Sequence, residues 1–525
     1  MSLLEILCVL VSGVVCLYFY FKRNHKHWVK RGIPGPKAAF IVGNLPSIFT
    51  QKRSPVYDME EIYYKWKKEA NLAGFFNMMQ PQILLLKPEL VKMVTVKNFQ
   101  NFHDNDFADM FNKDSDPVFT KTIFMLKGAE WKERRAELAP AFTDNRVQQF
   151  VCFKCPSIDI LPLCLFQMKS MFLLIEEISK RLVQHLDKVV QSSGSPVVLE
   201  ARTLVTKFSV DVVGNCIFRV DGGAFKDDNS EMMKIGEELM NPSGSFLISF
   251  LLIQLFPVLK GILRPRLIKS VVVEYLKKLI REVTQKRQEN PTDGKDFMSF
   301  MEHLQINKGT PPAQILGHVF TFFIDGYEMS SNVLAHTLYQ LAKNPEVQDK
   351  LRDELQSLDS LESLATPNSN QCEYLHRVLL ESLRINAPLP YLTKRCTKGC
   401  SLPLRDDEEV FIETNTPVVI PIYIIQRDAE HFPNPEAFDP DRFVDGNAKK
   451  FQNAGIFMPF GDGPRICMGM KFAMLQVKIA VAVIIKNYSL KVDPKTRDPF
   501  CLNPKLFTST PEGGYWLQFT PLESN

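Results

Sequence analysis

No stretch of this chain repeats, no long run of Gly and Ser parts one section from another, and the net charge is only +4 over 525 residues. The first absence excludes solenoids and arrays. The second argues against flexibly tethered domains, and the third removes the basic footprint that nucleic-acid binding requires. Eleven cysteines are present but follow no regular spacing, so a disulfide scaffold is excluded and reduced cytosolic thiols fit best. Cys152-x-x-Cys155 is the one C-x-x-C pair, and no second pair or His pair completes a zinc site. Nor does a glycine-rich dinucleotide or flavin fingerprint occur in a strand–turn–helix setting. What the chain does have is 45% hydrophobic residues and 39 Phe, enough for one large core.

Residues 3–21 are apolar apart from Glu5, Ser12 and a few weakly polar positions. At about 1.5 Å per residue such a helix nearly spans a bilayer. Lys22, Arg23, Lys26, Lys30 and Arg31 follow it and no basic residue precedes it. This asymmetry places the N-terminus outside and the remainder in the cytosol. A basic start and a small-residue cleavage site are both missing, so residues 1–31 read as an uncleaved membrane anchor with its basic flank. Gly32-Ile-Pro34-Gly-Pro36 then makes a stiff exit into a single body at 32–525.

Within that body, 82–86 reads as a strand and 90–96 as a helix, while 488–492 and 515–519 read as strands. Residues 314–342 are apolar over much of one long helix, which assigns it to the core. In its middle lie Asp325, Gly326 and Glu328, and buried acids are costly unless they are paired or used. Residues 245–256 are too short to span a membrane. They suit either a buried helix or a surface that dips into the bilayer. Residues 148–168 are apolar, contain two prolines and read as a probable insert.

The sequence is organised around the loop Phe457-Met-Pro-Phe460-Gly461-Asp-Gly463-Pro-Arg465-Ile-Cys467-Met-Gly469. Gly461 and Gly463 permit a tight turn with positive φ. Residues 470–486 lack Gly and Pro and form an apolar helix, so Cys467 sits at a helix N-terminus, where the dipole and a metal both favour a thiolate. Taken singly, an unpaired cysteine is more often just a small buried hydrophobe.

Here, however, Phe460-x-x-Gly463-x-Arg465-x-Cys467-x-Gly469 resembles the haem-binding signature of the cytochrome P-450 monooxygenases. The resemblance implies a mainly α fold with smaller β-sheets, behind one transmembrane helix, and haem b with Cys467 as axial thiolate. Phe460 would cover the sulfur, and the amides of Gly461 and Gly463 would point at it. Haem propionates are expected on Arg465, on Trp131 and Arg135, which share a helix face at i, i+4, and on Arg395. Gly326 and Glu328 match the family's oxygen-binding stretch. The family's threonine is Met329 here, so proton delivery is expected through Glu328, the neighbouring Ser330 or water. Glu381 and Arg384, the sole Glu-x-x-Arg in the chain, together with Arg442, match the family's buried ion network. Phe322, Phe323, Leu389, Leu392 and Phe507 are expected around an apolar substrate.

The expected activity is insertion of one oxygen atom from O2 into such a substrate, as in microsomal insect detoxification-type members. The expected partners are an NADPH-cytochrome P-450 reductase, assisted in some cases by cytochrome b5 and docked on Lys132 and Arg134, and the lipid of the endoplasmic reticulum membrane. Two alternatives are a haem-thiolate isomerase or dehydratase, to which a missing threonine is harmless, and a non-catalytic membrane-bound haem or lipid binder.

Overall fold

A helix that is apolar around most of its circumference is driven to the centre of a domain, and residues 312–343 occupy that position in the computed structural model. Val319, Phe320, Phe323 and Leu338 have no exposed surface. The chain is described over residues 18–111, 113–142, 161–227, 229–289, 297–358, 360–365 and 372–523, with Ser12 and Val15. In place of one unbroken helix there are two, Pro312–Ile324 and Ser330–Lys343, joined by a π-helical turn at Asp325–Met329. The extra residue of a π turn is accommodated where Gly326 weakens the ladder and the acids sit.

The helix that follows the cysteine loop, Met470–Asn487, packs against Ser330–Lys343 and against the long helix Leu161–Ser193. Leu475, Ile479, Val481 and Ile484 are buried there, each contributing roughly 1.5–3 kcal/mol by leaving water. Residues 161–168 belong to the long helix, whereas 148–160, with Cys152 and Cys155, lie outside the described residues.

Among the described residues, three small sheets complete a mainly helical architecture. The largest has the order β1-β2-β8-β5-β3, formed by Leu72–Asn77, Gln80–Leu85, Pro417–Ile420, Leu392–Arg395 and Asp104–Asn105. Strand β5 lies antiparallel to both neighbours, with Lys394 opposite Val418 on one side and Asn105 on the other. A second sheet joins β4 (Val197–Glu200), β10 (Trp516–Pro521) and β9 (Tyr488–Val492), and a hairpin pairs β6 (Cys400–Arg405) with β7 (Glu408–Ile412). The strands expected at 82–86, 488–492 and 515–519 fall within one or two residues of β2, β9 and β10. The helix expected at 90–96 is Pro88–Lys92 continued by a π turn, Met93–Lys97.

Most of the expected anchor lies outside the described residues, and among the described residues no helix is long and apolar enough to cross a membrane. Residues 245–256 form the helix Gly244–Leu255, which buries Phe246 and Ile253 while exposing Leu247 and Ile248. The helix is thus neither wholly buried nor wholly exposed.

Candidate haem-thiolate site

The cysteine loop is fixed by its glycines and its backbone. Gly461 and Gly463 have φ of 75° and 69°, a region that side chains with a Cβ avoid. At Gly463 a Cβ would lie 2.0 Å from the Thr95 carbonyl oxygen, so the loop crosses the Met93–Lys97 turn only because the side chain is absent. The Cys467 amide donates to the Phe460 carbonyl at 2.9 Å, and the Gly461 amide donates to that of Met458 at 2.9 Å. The Ile466 carbonyl accepts from Arg135 Nη2 at 2.7 Å. Cys467 thus stands three residues before the helix Met470–Asn487, at its N-terminal end.

The helix terminus does not by itself make a thiolate. Burial raises the thiol pKa to about 11, the Asp325 charge adds to this, and the Gly469 amide and Arg135 oppose it. Desolvation wins, so the polypeptide alone favours the thiol, and a bound metal would favour the thiolate. Cys467 and Asp325 both expose surface, yet burial is the leading cause that raises each pKa, in Asp325 to about 7. Groups that are exposed and desolvated together line an internal space, and the Asp325 charge acts on Cys467 across it.

Beside the loop stands a cluster of cations. The Arg465 guanidinium lies 4.2 Å from the centre of the buried Trp131 ring, and that of Arg135 lies 5.7 Å from it. Arg465 donates to the Leu126 carbonyl at 2.8 Å and to Asp104 Oδ1 at 3.3 Å, while its Nε is buried without a hydrogen-bond partner. Lys394 Nζ donates to Asn105 Oδ1 at 2.9 Å. Burial, followed by repulsion from Arg465, pushes Lys394 down to about 7 against the opposing pull of Asp104. Burial likewise lowers Arg465 to about 10 and depresses Arg135. Three crowded cations facing one carboxylate, with an orphaned guanidinium nitrogen, fit a dianionic ligand.

Arg395 does not join them. Successive side chains of a strand point to opposite faces; Lys394 shares a face with Leu392, whose Cδ1 lies 3.8 Å from where a Gly461 Cβ would be. Arg395 turns the other way, where its Nε lies 2.5 Å from Asp109 and its Nη2 pairs with Asp106. The cation that β5 presents toward the cysteine loop is therefore Lys394, and two-residue alternation from Leu392 is the signal that singles it out.

The residues expected to relay protons are also differently placed. Glu328 is buried and accepts from Arg202 Nη2 at 2.7 and 2.8 Å and from Asn332 Nδ2 at 3.0 Å. Ser330 Oγ accepts from Gln476 Nε2 at 2.6 Å. A Cβ on Gly326 would lie 2.8 Å from Val213 Cγ2, so this glycine allows close packing of the helix Ala201–Val213. Phe322 is stacked on Phe142 and set edge-on to Phe297, and Phe323 is stacked on Tyr327, which commits both rings to packing. Leu389 and Leu392 are half-buried and Phe507 is exposed.

Behind the loop, Glu381 and Arg384 are fully buried and joined by two hydrogen bonds of 2.7 and 2.8 Å. Arg442 Nε reaches Glu381 at 3.2 Å. Arg384 Nη1 donates to the Gln426 carbonyl at 2.9 Å, and Gln426 Oε1 accepts from the Met458 amide at 2.8 Å. Gln426 is thus the link between the ion network and the cysteine loop, and nothing in its local sequence marks it.

Comparison with known proteins agrees with this geometry. A sequence model of the cytochrome P-450 family matches residues 33–518. The chain is 32% identical to probable cytochrome P-450 28a5 of Drosophila melanogaster, covering 98% of this chain and 99% of that protein. It is 32% identical to probable cytochrome P-450 28d1 of the same fly, over 98% of each. Cytochrome P-450 9e2 of Blattella germanica is 30% identical over 96% of this chain and 95% of its own.

Proposed function

Since the chain belongs to the cytochrome P-450 family of haem-thiolate monooxygenases, we propose that it inserts one atom of O2 into an apolar xenobiotic, hormone or lipid, with electrons from a separate NADPH-dependent reductase. Haem b with a cysteine thiolate is the family's cofactor, and it supplies reductive oxygen activation, with the thiolate favouring O–O cleavage. The observation that carries the reading is Cys467 at the N-terminal end of Met470–Asn487, with the cations Arg135, Arg465 and Lys394 clustered beside its loop.

Cys467 Sγ would hold the haem iron, whose charge would offset the burial that favours the free thiol. Arg135, Arg465 and Lys394 would hold the haem propionates, which would add anionic partners to a cluster that otherwise has Asp104. Trp131 stacks under Arg465 and fixes its plane. Leu392 packs beside Gly461 in the loop that carries the cysteine. The reductase approaches the Cys467 side, where Lys132 is exposed and Arg134 is engaged by Glu133 and Glu137.

An attachment to the endoplasmic reticulum membrane is supported by a patch of exposed apolar side chains. Leu247, Ile248, Val258 and Ile262 are exposed on Gly244–Leu255 and the turn after it, and Tyr20, at the end of the expected apolar span, stacks on Phe256 at 6.4 Å. An apolar surface of this kind beside an anchor suits insertion among acyl chains.

The decisive measurement is the ferrous-CO difference spectrum of the full chain beside Cys467→Ala. A thiolate-type band in the first and its loss in the second are expected. An unaltered band in Cys467→Ala would rule out this ligand.

A further inference from the structure

We propose that Asp325 is the proton-handling residue on the oxygen side of this enzyme, in the place that Met329 leaves without a hydroxyl. The inference rests on the haem-thiolate reading and extends it to the opposite wall of the same space. Asp325 opens the π turn Asp325–Met329, and Met329 lies four residues on, so the two share a face of the helix. A methionine thioether donates no hydrogen bond. Asp325 brings to that face an acid which, among the described residues, has no hydrogen-bond or ion-pair partner, and whose charge is felt at Cys467.

The acids and hydroxyls nearby are committed elsewhere. Glu328 is clamped by Arg202 and Asn332, and Ser330 by Gln476. Ser331 donates to the Tyr327 carbonyl at 2.7 Å. Of the other charged groups on the helix Ala201–Val213, Asp211 accepts from the Ala224 amide and Lys207 reaches toward His185. On Pro312–Ile324, His318 lies beside Gln314, and on Ser330–Lys343, His336 bonds Tyr515. Cys467, with Arg135 behind it, is the ionisable group that faces Asp325 across the space. Burial raises Asp325 to about 7, so the carboxyl both holds and releases its proton near neutrality, the condition that favours a general acid.

Per turnover, R–H, O2, two electrons and two protons give R–OH and water. The electrons come from NADPH through the reductase. Asp325 Oδ passes protons inward one at a time and is reprotonated from water, so it is unchanged overall.

The test uses the full chain in membranes with an NADPH-dependent reductase and 7-ethoxycoumarin as apolar probe. Asp325→Asn and Asp325→Glu are compared with the parent. The ferrous-CO band is expected in all three, which shows that fold and ligation survive. In Asp325→Asn, product per NADPH is expected to fall roughly 10²-fold, with hydrogen peroxide taking its place, and Asp325→Glu to restore part of the yield. Independently of turnover, the ferric absorption spectrum of the parent is expected to titrate near neutral pH, and that of Asp325→Asn to stay flat. An Asp325→Asn protein with the parental band, peroxide-to-product ratio and titration would overturn the proposal. A parent without a thiolate-type band would instead overturn the haem-thiolate reading beneath it.

Discussion

Replacing Glu381 by Ala removes the one carboxylate that neutralises two guanidinium groups. Arg384 has no exposed surface and directs two of its nitrogens at Glu381, and Arg442 adds a third contact. The Asp439 amide loses its acceptor at 3.1 Å as well. Breaking a buried ion pair from one side costs about 3–5 kcal/mol, because the remaining charge is left desolvated and unpaired. Against a total stability of about 5–15 kcal/mol, that removes from about a fifth to all of the margin. The loss falls on the cysteine loop, because Arg384 holds the Gln426 carbonyl and the Gln426 side chain holds the Met458 amide. Expression of Glu381→Ala is expected to give protein that lacks the thiolate-type CO band, with a denaturation midpoint lowered to match. Pairing Glu381→Leu with Arg384→Met removes both charges together and is expected to recover part of the stability. Full haem content and an unshifted midpoint in Glu381→Ala would show that the network does not support the loop, and the reasoning would fall.

Two further predictions concern the loop and its cations. Gly463→Ala places a Cβ 2.0 Å from the Thr95 carbonyl at a φ of 69°, so haem incorporation is expected to collapse, measured as CO-binding haem per polypeptide; an unchanged ratio would refute the contact. Lys394 is lowered from 10.5 to about 7 by burial and by its cationic neighbours. Between about pH 7 and 10 the unfolded chain therefore binds more protons there than the haem-free fold, and stability rises with pH in that window. Below about 7 the full penalty of a charged Lys394 is present. Lys394→Met is expected to flatten that slope in denaturation of haem-depleted protein while weakening haem retention in the loaded enzyme. Parental pH dependence and retention would contradict the role given to Lys394.

How much of this was legible in the sequence depends on whether the signal was local. Gly461 and Gly463 announced their positive φ because few other residues adopt it, and Cys467 before an apolar helix announced its place. The Glu381–Arg384 pair stood out because the two sit at i, i+3 on one helix. Along residues 314–342 the apolar pattern identified a central helix but not the π turn within it, since periodicity cannot register one extra residue in the ladder.

Sequence by itself therefore determined the family, the cysteine and the helix that carries it, since each is a property of adjacent residues. Only the tertiary structure decided which of Lys394 and Arg395 turns toward the loop, because strand alternation has no absolute sense until β5 is seated between β8 and β3. It also decided that Glu328 is spent on Arg202, a partner 126 residues away, and that the Asp325 carboxyl has no partner among the described residues. A charged side chain takes its role from what is brought near it, and proximity across the chain is what folding creates.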